Sequence, residues 1–92
     1  RGLGDVYKRQ EATAYFSQSA QWLRTEFEVI GLYHSGKLPE AVKTTISREA
    51  GTAKVDDVDF IDTPDTDYYL VEIDQEPNDR YLKIGEDGSI LP

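Results

Sequence analysis

The chain has no cysteine and no methionine, a single histidine and a single tryptophan, and only 10 Lys and Arg against 18 Asp and Glu. Without cysteine there is no disulfide framework, no thiol nucleophile and no thiolate metal site. Cations are scarce and the formal net charge is −8, so the basic face that phosphate contacts need is missing. Neither nucleic acid nor an anionic membrane surface is therefore an expected partner. No apolar run approaches the roughly 20 residues that cross a bilayer, so no membrane insertion is expected. There is no Gly-rich phosphate loop and no Gly-x-Ser-x-Gly elbow. His34 is followed directly by Ser35, and neighbours in sequence do not form a nucleophile–base pair. No cofactor, no catalytic residue and no enzyme activity are expected.

What the chain does have is acid and aromatic rings. Ninety-two residues make one small domain, burying roughly 60–65% of its unfolded surface. Six Tyr and three Phe carry much of the core. Val55 to Asp79 holds ten of the eighteen acidic residues and no Lys or Arg. Its two halves alternate with period two around Thr63-Pro64-Asp65-Thr66, where Pro64 presets the second turn position. Val58 and Phe60 fall on one face of the first arm, with Asp57, Asp59 and Ile61 on the other. In the second arm Tyr69, Val71 and Ile73 oppose Tyr68, Leu70 and Glu72. The stretch reads as an acidic β-hairpin at the centre of a sheet.

The remaining segments fit around it. Ala12 to Phe16 suits a strand, and Ser17 to Ala20 a turn. Gln21 to Ile30 alternates, with Leu23, Thr25, Phe27 and Val29 inward and Trp22, Arg24, Glu26 and Glu28 outward. Gly31 to Lys37 reads as a loop. Pro39 to Ala50 is the one predicted helix, with Pro39 at the first helical position and Leu38, Val42, Ile46 and Ala50 forming a narrow apolar stripe. Gly51 is placed to end it with positive φ. Arg80 to Ile84 is a strand with Leu82 and Ile84 inward and Tyr81 outward. Glu86-Asp87-Gly88 is a tight turn before the short return Ser89-Ile90-Leu91. The expectation is an α+β fold in the order β-β-α-β-β-β: a mainly antiparallel sheet of about five strands, with one helix (about 39–50) on one face.

Two segments bear on where the chain comes from. Asp5-Val6-Tyr7-Lys8-Arg9-Gln10 resembles a translated sequencing-adapter end. Residues 1–10 accordingly read as a set-aside, non-native segment from which no element of the fold is expected. Setting aside Arg1, Lys8, Arg9 and Asp5, three cations and one anion, takes the net charge of the remainder from −8 to −10. Within residues 12–91, several short motifs come in a consistent order. They are Tyr15-Phe16, Gln21-Trp22-Leu23, Glu26 to Val29, the Leu38-Pro39 helix start, Asp67-Tyr68-Tyr69 and the closing Glu86-Asp87-Gly88-Ser89-Ile90-Leu91. Together they resemble the PepSY-like, β-lactamase-inhibitor-protein-like domains of Bacteroidetes envelope proteins. The family's usual Asp and Gly before the Trp-Leu pair are absent here, where Ser17-Gln18-Ser19-Ala20 stands. The resemblance implies a periplasmic or secreted protein built of helix-plus-meander repeats. Residues 11–30 would close an upstream repeat, and residues 38–92 would form a complete one.

The functional expectation is a non-catalytic binding or inhibitor-like module. Its partner-binding candidates are Trp22, Asp57, Asp59, Asp65, Asp67, Tyr68 and Tyr81, and its partner would be a basic protein surface. A calcium-stabilised structural domain is the alternative, with Asp62, Asp65 and Asp67 as oxygen ligands. A hydrolase using a carboxylate pair is the second alternative and needs two acids facing one cleft.

Overall fold

The computed structural model describes residues 3–92, Leu3 by its backbone only; Arg1 and Gly2 of the set-aside segment lie outside the described residues. Six strands form one antiparallel sheet whose spatial order is their sequence order. They are β1 (Ala12–Phe16), β2 (Trp22–Glu28), β3 (Val55–Asp62), β4 (Asp67–Ile73), β5 (Arg80–Ile84) and β6 (Ile90–Leu91). The closing return predicted after Asp87-Gly88 pairs as a sixth strand, with Lys83 opposite Leu91 and Ile84 opposite Ile90. Three helical segments are present among the described residues: α1 (Leu3–Val6), α2 (Ile30–His34) and α3 (Glu40–Ala50). The α+β antiparallel expectation therefore holds, with six strands where about five were expected and two short helices besides the predicted one.

The inner face follows from alternation. Val58 and Phe60 of β3 meet Val71 and Tyr69 of β4, and Val71 and Tyr69 meet Leu82 and Ile84 of β5. All six are buried, and the stripe Leu38, Val42 and Ile46 closes over this floor. Pro39 is the residue before the helix, with φ −54° and ψ 141°, so it caps α3 and does not occupy the first turn as expected. Gly51 ends the helix with φ 59°. The segment Gly31–Lys37, expected as a loop, begins inside α2, whose Ile30, Leu32 and Tyr33 lean on the core. Five residues carry too little helical periodicity to be recognised, and what holds them is the packing of three half-buried side chains against the core.

One irregularity re-aims the start of β3. Val55 pairs with Ile73 and Asp57 with Glu72, so the register slips by one residue between them. This bulge turns Val55 to the core, where it is buried, and leaves Asp56 in water. The set-aside N-terminal segment also reaches the core. Tyr7 is only 3% exposed, its ring lies 5.1 Å from Phe60, and its hydroxyl is 2.8 Å from that of Tyr69. Burial raises the pKa of both phenols; the pairing adds to that rise at Tyr69 and opposes it at Tyr7.

Two contacts tie α3 to the far end of the sheet. The Thr45 hydroxyl donates to the Gly88 carbonyl at 2.6 Å, and Gly88 has φ +86°. A Cβ there would come within 2.7 Å of the Ala41 carbonyl oxygen. At the helix end, Arg80 donates through Nη1 to the Glu49 carbonyl at 3.2 Å and through Nη2 to its carboxylate at 2.6 Å. Gly88→Ala, facing both a clash and an unfavourable φ, is expected to cost about 2 kcal/mol or more in chemical denaturation. A cost under about 0.5 kcal/mol would mean that this turn does not bear on the helix. In the β1–β2 turn, Ala20 holds φ +65° where glycine is free to sit. Ala20→Gly is expected to stabilise the chain by about 0.5–1 kcal/mol, measured the same way.

Candidate binding face

The helices lie on the inner face, so the other face of the sheet is bare. Cross-strand register builds its rows. One row runs Glu28, Asp59, Leu70, Lys83, Leu91, and the next runs Glu26, Ile61, Tyr68. A third carries Asp57, Glu72 and Tyr81, and Tyr15 of β1 sits opposite Arg24 of β2. Two cations lie over rings. The Arg24 guanidinium is 4.0 Å from the Tyr15 centroid, and the Lys83 ammonium 5.3 Å from that of Tyr68. Arg24 also donates to Glu26 at 2.7 Å, which raises the guanidinium's pKa further.

Of the candidates read from sequence, the sheet brings Asp57, Asp59, Tyr68 and Tyr81 onto this one face, and Tyr81 is 60% exposed. Trp22 is half-buried beside the bulge between Tyr15 and Phe16, where its indole N–H donates to the Thr25 hydroxyl at 2.9 Å. Asp65 stands exposed in the β3–β4 turn, which Thr63 closes by donating to the Thr66 carbonyl at 2.6 Å. Asp67 alternates onto the Tyr69 side, opposite Asp62, and so leaves Tyr68 on the other face. Burial, then the hydrogen bond with Asp67, raises the pKa of Asp62. Ile61, expected on the wet face, is 2% exposed between Glu26 and Tyr68.

The carboxylates are unevenly placed. Among the described residues, the one group of three whose oxygens lie within 4.8 Å of one another is Asp56, Glu72 and Asp79. The calcium candidates Asp62, Asp65 and Asp67 do not form such a group. The hydrogen bond to Asp79, ahead of burial, raises the pKa of Glu72, while Tyr81 donates to Glu72 Oε2 at 3.1 Å. Asp59 is the most perturbed acid: burial first, then the charges of Asp57, Glu26 and Glu28, push its pKa from 3.8 to about 6. Its Oδ1 is buried and has no hydrogen-bond partner among the described residues.

The helix-backed antiparallel sheet is shared with known proteins. A BLIP-like protein of Bacteroides fragilis superposes with a TM-score of 0.76 at 28% identity, covering 90% of this chain and 58% of that one. The fold is BLIP-like. A DUF2874 family protein of Bacteroides uniformis matches with a TM-score of 0.73 at 18% identity, over 88% of this chain and 59% of that one. A candidate periplasmic protein of Bacteroides eggerthii matches with a TM-score of 0.74 at 16% identity, over 90% of this chain and 60% of that one. The chain thus spans about three-fifths of the length of these solved structures. No protein-family profile matches it, and no curated protein does.

The Asp59 environment makes stability depend on pH. Its folded pKa, about 6, lies above its ordinary 3.8, so the folded state holds this proton more tightly than the unfolded one. Its ionised form therefore weakens folding in full above about pH 6, and the penalty is gone below about 3.8. Asp59→Asn is expected to raise stability at pH 8 by about 1 kcal/mol, a figure discounted for the half-solvated position. The gain should fall to a small fraction of that at pH 4. Equal melting shifts at both pH values would contradict this account.

Proposed function

We propose that the chain is a non-catalytic binding module of a periplasmic or secreted protein, and that the outer sheet face is its contact surface. The observation that supports this is the open face itself, where Tyr15, Tyr68 and Tyr81 are presented on a rigid six-stranded sheet. Tyr and Arg are enriched where protein interfaces concentrate their energy, because they bury much area at little entropic cost. The partner that fits the charge is a basic protein surface. Periplasmic or secreted placement rests on likeness to the Bacteroides proteins, one of them a candidate periplasmic protein. Residues 11–30 are part of this reading as the closing hairpin of an upstream repeat: β1 pairs only with β2 among the described residues, and all five of its residues are exposed.

An immobilised chain exposed to periplasmic extract is expected to retain a basic protein. The double substitution Tyr68→Ser and Tyr81→Ser should weaken that retention about tenfold or more, the scale of losing one interface anchor. If the extract yields nothing, or if the double variant retains the same protein equally well, the outer face is not a binding surface.

A further inference from the structure

Across the β5–β6 end of the sheet lies a groove of about 330 Å³ walled by Leu70, Tyr81, Lys83 and Leu91 of the outer face, by Leu82 and Ile90 of the inner-face register, and by Pro92. Its lining is largely apolar, and two of its walls stand in water: Tyr81 is 60% exposed and Ile90 46%. Of the lining residues Leu82 also belongs to the core, whereas Tyr81, Ile90 and Leu91 do not. The two ends of the groove differ in charge. Lys83 stands level with Leu70 and Leu91, its register partners. Two residues along β4 from Leu70, on the same face, Glu72 joins Asp56 and Asp79 in the convergent carboxylate group. Tyr81 joins the two regions, since its ring walls the groove and its hydroxyl donates to Glu72 at 3.1 Å.

We propose that this groove binds an extended peptide carrying an apolar residue and, two positions on, a Lys or Arg. The inference rests on the binding-module reading and names the partner's chemistry. In an extended strand, alternate side chains point the same way and sit about 6.5–7 Å apart. That spacing matches the step from Leu70 to Glu72 on the sheet beneath. An apolar side chain seated on Leu70, Tyr81 and Leu91 thus places the next same-side residue over Glu72, Asp56 and Asp79. A cation there offsets the charges of Asp79 and Asp56, which add to the Asp79 hydrogen bond and to burial in raising the Glu72 pKa. Lys83 opposes a cation at the other end, so the peptide has one favoured direction.

Capped pentapeptides of sequence Ser-Leu-Ser-Arg-Ser, Ser-Leu-Ser-Glu-Ser and Ser-Ser-Ser-Arg-Ser are the probes, titrated against the isotope-labelled chain by amide chemical-shift mapping. The Leu/Arg peptide is expected to move Leu70, Glu72, Tyr81, Lys83 and Leu91 saturably, about tenfold more tightly than either control. Glu72→Gln with Asp79→Asn should abolish the preference for Arg over Glu while leaving the melting temperature unchanged or higher. If the three peptides bind alike, or none moves the groove at millimolar concentration, the proposal is overturned. Should that happen while the unaltered chain still retains the extract protein, the groove inference falls alone. Should the extract protein be lost as well, the binding-module reading falls with it.

Discussion

The fold depends on the inner-face contact between Phe60 and Tyr69, rings 5.1 Å apart across the β3–β4 pair. Directly opposed aromatic residues are among the stronger cross-strand pairs, contributing up to about 1 kcal/mol beyond the area they bury. Phe27 approaches Phe60 from β2 at 6.1 Å, and Tyr7 approaches both Phe60 and Tyr69 from the N-terminal segment. Four rings from three strands and one preceding segment thus share one cluster. A domain this small has a modest core, so a one-residue slip that turned Phe60 and Tyr69 to water would leave little to hold the sheet. The central hairpin therefore fixes the register, and the outer strands inherit it.

This central role was legible because β3 and β4 alternate so cleanly. The assignments of Val58, Phe60, Tyr69, Val71, Ile73, Leu82 and Ile84 to the inner side follow from period two alone, and all seven are buried. The α3 stripe was readable for the same kind of reason. What escaped did so for local causes. A bulge shifts phase by one residue, so simple alternation places Val55 on the wrong face until the pairing with Ile73 is seen. Ile61 is buried on the outer side by its long neighbours, which no strand pattern encodes. Tyr7 was left out with its segment on grounds of origin. Its packing against Phe60 and Tyr69 bears on the fold and does not bear on that origin. In the β1–β2 turn the lack of glycine is met by Ala20 at φ +65°, held by Ser17, whose hydroxyl accepts from Gln21 N–H at 3.1 Å.

The candidate site was legible in composition and less so in arrangement. The concentration of acid in Val55–Asp79 was plain, yet seven of its ten carboxylates divide among three places with different chemistry. Asp62 and Asp67 face each other on the inner side of the hairpin end. Asp57 and Asp59 lie on the outer face, Asp59 partly buried among like charges. Asp56, Glu72 and Asp79 converge only because the bulge sets Asp56 free and the β4–β5 loop carries Asp79 across. Spacing along the chain could pair neighbours such as Asp65 and Asp67. It could not find a set drawn from β3, β4 and the loop before β5.

The outer face itself follows from connectivity. Each strand pairs with its sequence neighbour, and the one excursion that leaves the sheet, from β2 through α2 and α3 to β3, returns to the adjacent position. It folds over the inner floor, where Leu38, Val42 and Ile46 find Val58 and Val71. The opposite face then has to meet water while carrying Tyr15, Tyr68, Leu70 and Tyr81. Arg24 over Tyr15 and Lys83 over Tyr68 resolve part of that conflict, since each cation covers a ring and keeps its charge near solvent. Tyr81 has no such cover; its hydroxyl is held by Glu72 and its ring is left open beside Leu91. A ring held at its polar end and bare along its face has already lost part of its rotamer freedom, so its burial by a partner costs less ordering entropy than that of a free side chain. On that ground Tyr81, more than the acids around it, is where a contact to this face should gain most.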